Sequence, residues 1–202
     1  MSNDRKKKKN TPLHLTILEG HTSVAELLLR KGASVEMVDI NKDTLLLLAI
    51  GANYISVVEL RLEKGALTGV IDTQHDTPLH LTATGGYTNI VNLLLGKGAP
   101  VEAMNQSGNT PLHRATQHSH PNIVELLLGK GAPIETMNQH GNTLLHRAIE
   151  SGHADVVEIL LARGASIEAR ETINKHTPLH LATYGGHMSI VELGRARAKR
   201  EL

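Results

Sequence analysis

Threonine returns at a fixed interval along this chain. "TPLH" begins at Thr11, Thr77, Thr110 and Thr177, and the variants "TLLLLA" and "TLLHRA" begin at Thr44 and Thr143. Successive threonines lie 33, 33, 33, 33 and 34 residues apart. A unit of this length is one supersecondary element. It cannot bury an apolar face alone and must stack on its neighbours. The period therefore excludes a conventional globular core and predicts a linear array of six units.

The rest of the unit repeats in step. Thr followed by Pro suits a helix start, because the threonine hydroxyl caps and the proline occupies a position whose N–H has no helical partner. Five residues on sits Thr16, Ala49, Thr82, Ala115, Ala148 or Ala182, small enough for close helix approach. Nine residues on, Gly20, Gly86, Gly152 and Gly186 suit a left-handed helix stop, with Asn53 and Ser119 in the second and fourth copies. A second apolar segment follows ("IVNLLL", "IVELLL", "VVEILL"). It closes on Lys31, Lys64, Lys97, Lys130 or Arg163, each with a glycine behind it. A cation in the last turn and a glycine after it both favour a helix end. Each unit then continues with a short piece at Val35, Val101, Ile134 or Ile167, read as extended, and a polar turn such as "NQSGN".

These segments resemble the ankyrin repeat family. "TPLHLATYGGHMSIVEL" and "GNTPLH" match that family's pattern almost letter for letter, over about residues 10–193. The resemblance implies an all-α fold, an ankyrin repeat solenoid of helix-turn-helix units with short hairpin-like loops, turning as one stack. We expect a basic N-terminal tail at 1–9, a repeat domain at 10–193 and a basic C-terminal tail at 194–202.

The chain departs from the pattern in places. Leu47 stands where other copies have histidine, and Arg61 where they have leucine. The glycine two residues before each threonine survives only as Gly108 and Gly141. The last interval carries one extra residue within "EARETINKH".

Composition narrows the chemistry. There is no Cys, Phe or Trp, so leucine, isoleucine, valine and alanine must fill the core. Without cysteine there is no disulfide, thiolate nucleophile or Cys-based zinc site. The longest apolar run, Thr44 to Ala52, is far short of the ~20 residues of a spanning helix, and we expect no membrane insertion. The formal charge is +1, but the basic ends hide an acidic body. Between residues 10 and 194 lie 12 cations and 18 acids, a net of −6, which argues against nucleic acid as the main ligand. No phosphate-binding glycine loop, Ser-His-Asp order or H-E-x-x-H appears. We expect no enzyme and no cofactor.

Thirteen histidines invite a metal reading, but most of them are periodic. His14, His80, His113, His146 and His180 each lie three residues after a threonine: Thr11, Thr77, Thr110, Thr143 and Thr177. In the ankyrin family this histidine bonds within its own turn and towards the next loop, so these pairs are read as structural. His21, His120, His153 and His187 hold the turn between the two helices. His118 is off register. It lies five residues from His113, the wrong spacing for a helical metal pair, which needs three or four.

The resemblance implies a non-catalytic protein–protein interaction module with a concave face and loop tips for a partner. Carried over residue by residue, the partner-binding set is Leu18, Glu19, Thr84, Arg114, Gln117, His118, Arg147, Glu150 and Tyr184 on the helices. On the loops it is Gln74, Gln106, Ser107, Gln139 and His140. Arg114 and Arg147 could receive an acidic group, or stand as solvated cations with Glu150 as a partner. Tyr184 is read either as an anchor or as a turn-packing ring. The alternative is an ankyrin-type inhibitor or adaptor that regulates an enzyme or a transcription-related partner. The expected partner is another protein, and the chain a monomer or part of a longer array. The expected location is intracellular and cytoplasmic, or nuclear if Arg5–Lys9 serves as an import signal.

Overall fold

The computed structural model describes residues 11–33, 38–39, 43–188 and 190–192. Helices begin directly after all six periodic threonines. The first-helix series is α1 (Pro12–Leu18), α3 (Leu45–Gly51), α5 (Pro78–Gly85), α7 (Pro111–Gln117), α9 (Leu144–Glu150) and α11 (Pro178–Tyr184). The second-helix series is α2 (Thr22–Arg30), α4 (Ile55–Glu63), α6 (Thr88–Gly96), α8 (Pro121–Gly129) and α10 (Ala154–Ala162). Among the described residues there is no strand, only an isolated antiparallel bridge between Val38 and Thr44.

Each threonine caps through its own chemistry. At Thr110 the backbone is extended, with φ −87° and ψ 167°. Its Oγ1 accepts from the His113 N–H at 3.3 Å, and His113 Nδ1 accepts from the Thr110 N–H at 3.2 Å. This reciprocal box satisfies two helix-start donors at once. It recurs at Thr11, Thr77 and Thr143. At Thr177 the N–H and hydroxyl meet His180 Nδ1 at 3.2 and 2.8 Å. Thr44 caps in one direction only, since Leu47 has no ring nitrogen to return the bond.

The helix stops follow the sequence too. Gly20, Gly86, Gly152 and Gly186 adopt positive φ, and so do Asn53 (56°) and Ser119 (54°). A side chain in this region costs about 1–2 kcal/mol, least for Asn. Ser119 recovers little of that, because its hydroxyl reaches the exposed Asp155 carboxylate at only 3.3–3.4 Å. Ser119→Gly is therefore expected to stabilise the chain by about 0.5–1 kcal/mol, after the larger unfolded-state freedom of glycine is discounted. Urea midpoints read the change, and a lower midpoint for the variant contradicts the account.

The chain divides into two compact units, 1–100 and 101–202. Within each unit, first helices pack on first helices and second on second. The core comes from a few registers. Ile123, Val124 and Leu127 are fully buried on α8, as are Val156, Val157 and Leu160 on α10. The small residue five after each threonine is buried at Ala49, Thr82, Ala115, Ala148 and Ala182. Arg61 is 5% exposed, so repeat two does hold its cation at a leucine register of the interior.

The loops carry one correction. Val101, Ile134 and Ile167 lie in turns rather than in an extended piece, while Val35 lies outside the described residues. The hairpin-like closure comes a few residues later and uses side chains. The N–H groups of Asp39, Asp72, Asn105 and Asn138 each donate to the carbonyl four residues on, at 2.9–3.1 Å. Their Oδ1 atoms accept the N–H of that same residue at 2.9–3.1 Å. A four-residue span closed by its own Asp or Asn is an Asx-type loop. In the last loop the span is five residues, from Glu171 to His176. There the longer Glu171 carboxylate reaches the Ile173 and Asn174 N–H groups at 2.8 Å. The extra residue is matched by an extra methylene.

Candidate protein-binding surface

Five histidines follow a periodic threonine by three residues, and four of them lie in the interior. His14, His80, His113 and His146 are all buried to 1% exposure or less. In the second unit their outer nitrogens tie one repeat to the next. His113 Nε2 lies 3.4 Å from the Asn142 carbonyl, and His146 Nε2 lies 3.1 Å from the His176 carbonyl. Nδ1 accepts from the threonine N–H, so Nε2 carries the proton and donates. His180 at the same register is exposed. A second tie was not legible in sequence: His153 Nε2, in the inter-helix turn, bonds the Gln117 carbonyl at 2.9 Å.

The expected contact residues on the helices fall at the exposed ends of the first-helix series. In the first unit Leu18 ends α1 at 54% exposure, Glu19 follows it exposed, and Thr84 is half-buried. In the second unit Gln117 is half-buried while His118 and Glu150 are exposed. Arg114 and Arg147 are half-buried, with their stems lying along the helices. Arg147 Nη1 meets Glu150 Oε2 at 2.7 Å, so this arginine does have Glu150 as partner. The His118 ring stacks on His120 at 6.4 Å. Partial burial, then His120, Arg114, His153 and Arg147, hold the His118 imidazole below its ordinary range. A net-positive strip thus runs along repeats four and five.

The loop residues Gln74, Gln106, Ser107, Gln139 and His140 are all exposed. Part of their bonding capacity joins loop to loop. Gln139 Nε2 donates to the Gln106 carbonyl at 2.7 Å, the Gln139 N–H donates to the Ser107 carbonyl at 3.2 Å, and the His140 carbonyl accepts from Thr172 N–H at 3.4 Å. Tyr184 is 77% exposed, with its ring centroid 5.4 Å from that of His176. The two rings are tilted by 47°, and most of the tyrosine faces solvent.

The family pattern does not mark one further feature of the first unit. In the first unit a cleft of about 410 Å³ opens along the first-helix wall, lined by Ile17, Leu18, Leu47, Leu48, Leu81, Gly51, Ala52, Tyr54, Asp43 and Asp72. The apolar run at Thr44 to Ala52 was its only signal in the sequence. The basic segment Arg5–Lys9 lies outside the described residues.

These observations define a helical repeat protein. Its second helices turn most of their apolar residues to the interior, with Val24 and Leu27 exposed on α2, and its first-helix ends and loop tips present varied side chains to solvent. The chain belongs to the ankyrin repeat family. The model of that family, ankyrin repeats (3 copies), matches residues 1–72, 62–138, 79–171 and 127–193. No curated protein matches the chain. Ankyrin repeats are generally protein–protein interaction modules and are typically non-catalytic. Among the described residues no helix is long and apolar enough to cross a membrane.

Proposed function

We propose that the chain is a non-catalytic protein-binding module, and that in its second unit the partner docks on the first-helix wall and loop tips of repeats four and five. One observation carries this reading. The scaffold residues of the two repeats are near copies, yet the exposed ends of α7 and α9 differ: Gln117 and His118 against Glu150 and Ser151. Packing does not dictate these side chains, so they are free to recognise. The strip also mixes cations, imidazoles and one acid. Such a surface suits a polar partner segment.

The test needs a partner recovered by affinity pulldown. Arg114, Gln117, His118 and Glu150 are then replaced singly by alanine, with the outward acids Glu125 and Glu158 as controls. Losses of about 1–2 kcal/mol confined to the first set are expected of an interface centre. Unchanged binding for that set, with losses at Glu125 or Glu158, puts the interface on the second helices and overturns the reading.

A further inference from the structure

Repeats four and five differ from the first unit at one register. Four residues after the threonine they have Arg114 and Arg147, whereas the first unit has Leu15, Leu48 and Leu81, all half-buried, and repeat six has Leu181. At the exposed end of α1 stands Leu18, and at the end of α3 stand Gly51 and Ala52. The cleft exists because repeat two has almost no side chain there. A Cβ built on Gly51 meets nothing within 4 Å. The floor is leucine and the edge is acid, since Asp43 and Asp72 share the lining. No lysine or arginine lines it among the described residues. The Asp43 carboxyl is pushed above its ordinary range, first by burial and then by the charges of Asp39 and Asp72. The edge therefore holds negative charge, with no lysine or arginine among the described lining residues to offset it.

We propose that this cleft takes an aliphatic or aromatic side chain of a partner protein, presented on a segment whose neighbouring Lys or Arg sits against Asp43 and Asp72. The inference rests on the reading of the chain as a protein-binding module, and adds a second site with opposite charge preference to the strip of repeats four and five. Apolar burial supplies the anchor, and the paired acids select the flanking charge. The unusual run at Thr44 to Ala52 acquires a role in this way. Its leucines build the floor, and Gly51 and Ala52 leave the space above it.

A random twelve-residue peptide library displayed on phage is panned against the full chain and, in parallel, against Gly51→Leu. Gly51 is helical with open space at its Cβ, so leucine fills the cleft while favouring the helix. Enriched peptides are synthesised with a fluorophore, and their affinity is read by anisotropy. Peptides with an apolar residue beside Lys or Arg are expected. They should lose roughly tenfold or more in affinity for Gly51→Leu and for the Asp43→Asn, Asp72→Asn pair. The second substitution copies Asn105 and Asn138 at the equivalent loop register, so the loop should tolerate it. Absence of enrichment, acidic enriched sequences, or binding that survives Gly51→Leu overturns the proposal. Peptides that survive Gly51→Leu but are lost with His118→Ala overturn the cleft alone and leave the module reading standing.

Discussion

Gly141→Ala is expected to destabilise the second unit by about 2–4 kcal/mol, the largest loss for the smallest change in this chain. Two separate costs combine. Gly141 has φ +74°, and an alanine in that region costs about 1–2 kcal/mol. The site is also closed. A Cβ there meets the Thr172 side chain, and it lies 2.6 Å from the Thr172 backbone nitrogen. A side chain could rotate away, but the backbone belongs to the next loop. That loop is held by the Thr172 N–H bond to the His140 carbonyl at 3.4 Å and by Glu171. Gly164→Ala separates the two costs. Gly164 has φ +93° with nothing within 4 Å of its Cβ, so it pays strain alone. Urea denaturation of both variants is the measurement. Equal losses would show that the loop stack yields freely and that the contact with Thr172 contributes nothing.

His146 should make stability depend on pH in a definite direction. The ring is fully buried, and its Nδ1 already accepts from the Thr143 N–H at 3.3 Å. Protonation would place a hydrogen where that bond is made, in a buried site. Burial accordingly lowers the His146 pKa from 6.5. The bond to the His176 carbonyl pulls the other way, as do the charges of Glu171, Glu135 and Glu150. An unfolded histidine takes up its proton near pH 6.5. Below that pH the unfolded state binds a proton that the native state resists, so stability is lost as pH falls from about 6.5 towards the lower native value. Above 6.5 the contribution is fully present. His146→Leu imports the leucine that repeat two carries as Leu47, which is 3% exposed. It forfeits the tie to His176 and the reciprocal cap, about 1–2 kcal/mol at pH 8. It also removes the titration. The gap between the variant and the parent chain should therefore narrow between pH 7 and pH 5. Parallel urea midpoints across that range would rule out His146 as a source of acid sensitivity.

Period and chemistry make much of this molecule legible in its sequence. The threonine caps, the paired histidines and the left-handed stops at Asn53 and Ser119 are local. Each depends on a few adjacent residues, so sequence spacing determines them. The same register shows a stacked array, because a 33-residue unit cannot bury its face alone, and the family and all-helical fold follow from the resemblance of its motifs. Arg61 shows where local reasoning weakens. The sequence marks it as foreign to its register, and only packing reveals that the side chain stays inside at 5% exposure.

What the tertiary structure decided lies between repeats. That Gly141 cannot take a methyl is a fact about Thr172, 31 positions along the chain. His153 finds the Gln117 carbonyl 36 residues back. The sequence leaves Arg147 either solvated or paired, and the structure places its Nη1 2.7 Å from Glu150 Oε2. The cleft beside Gly51 belongs to three repeats at once. Its floor comes from Leu18, Leu48 and Leu81, and its acids from two loops. A sequence states which side chains exist. Empty space and clustered charge belong to surfaces assembled from distant residues, and they arise only when neighbouring repeats are stacked.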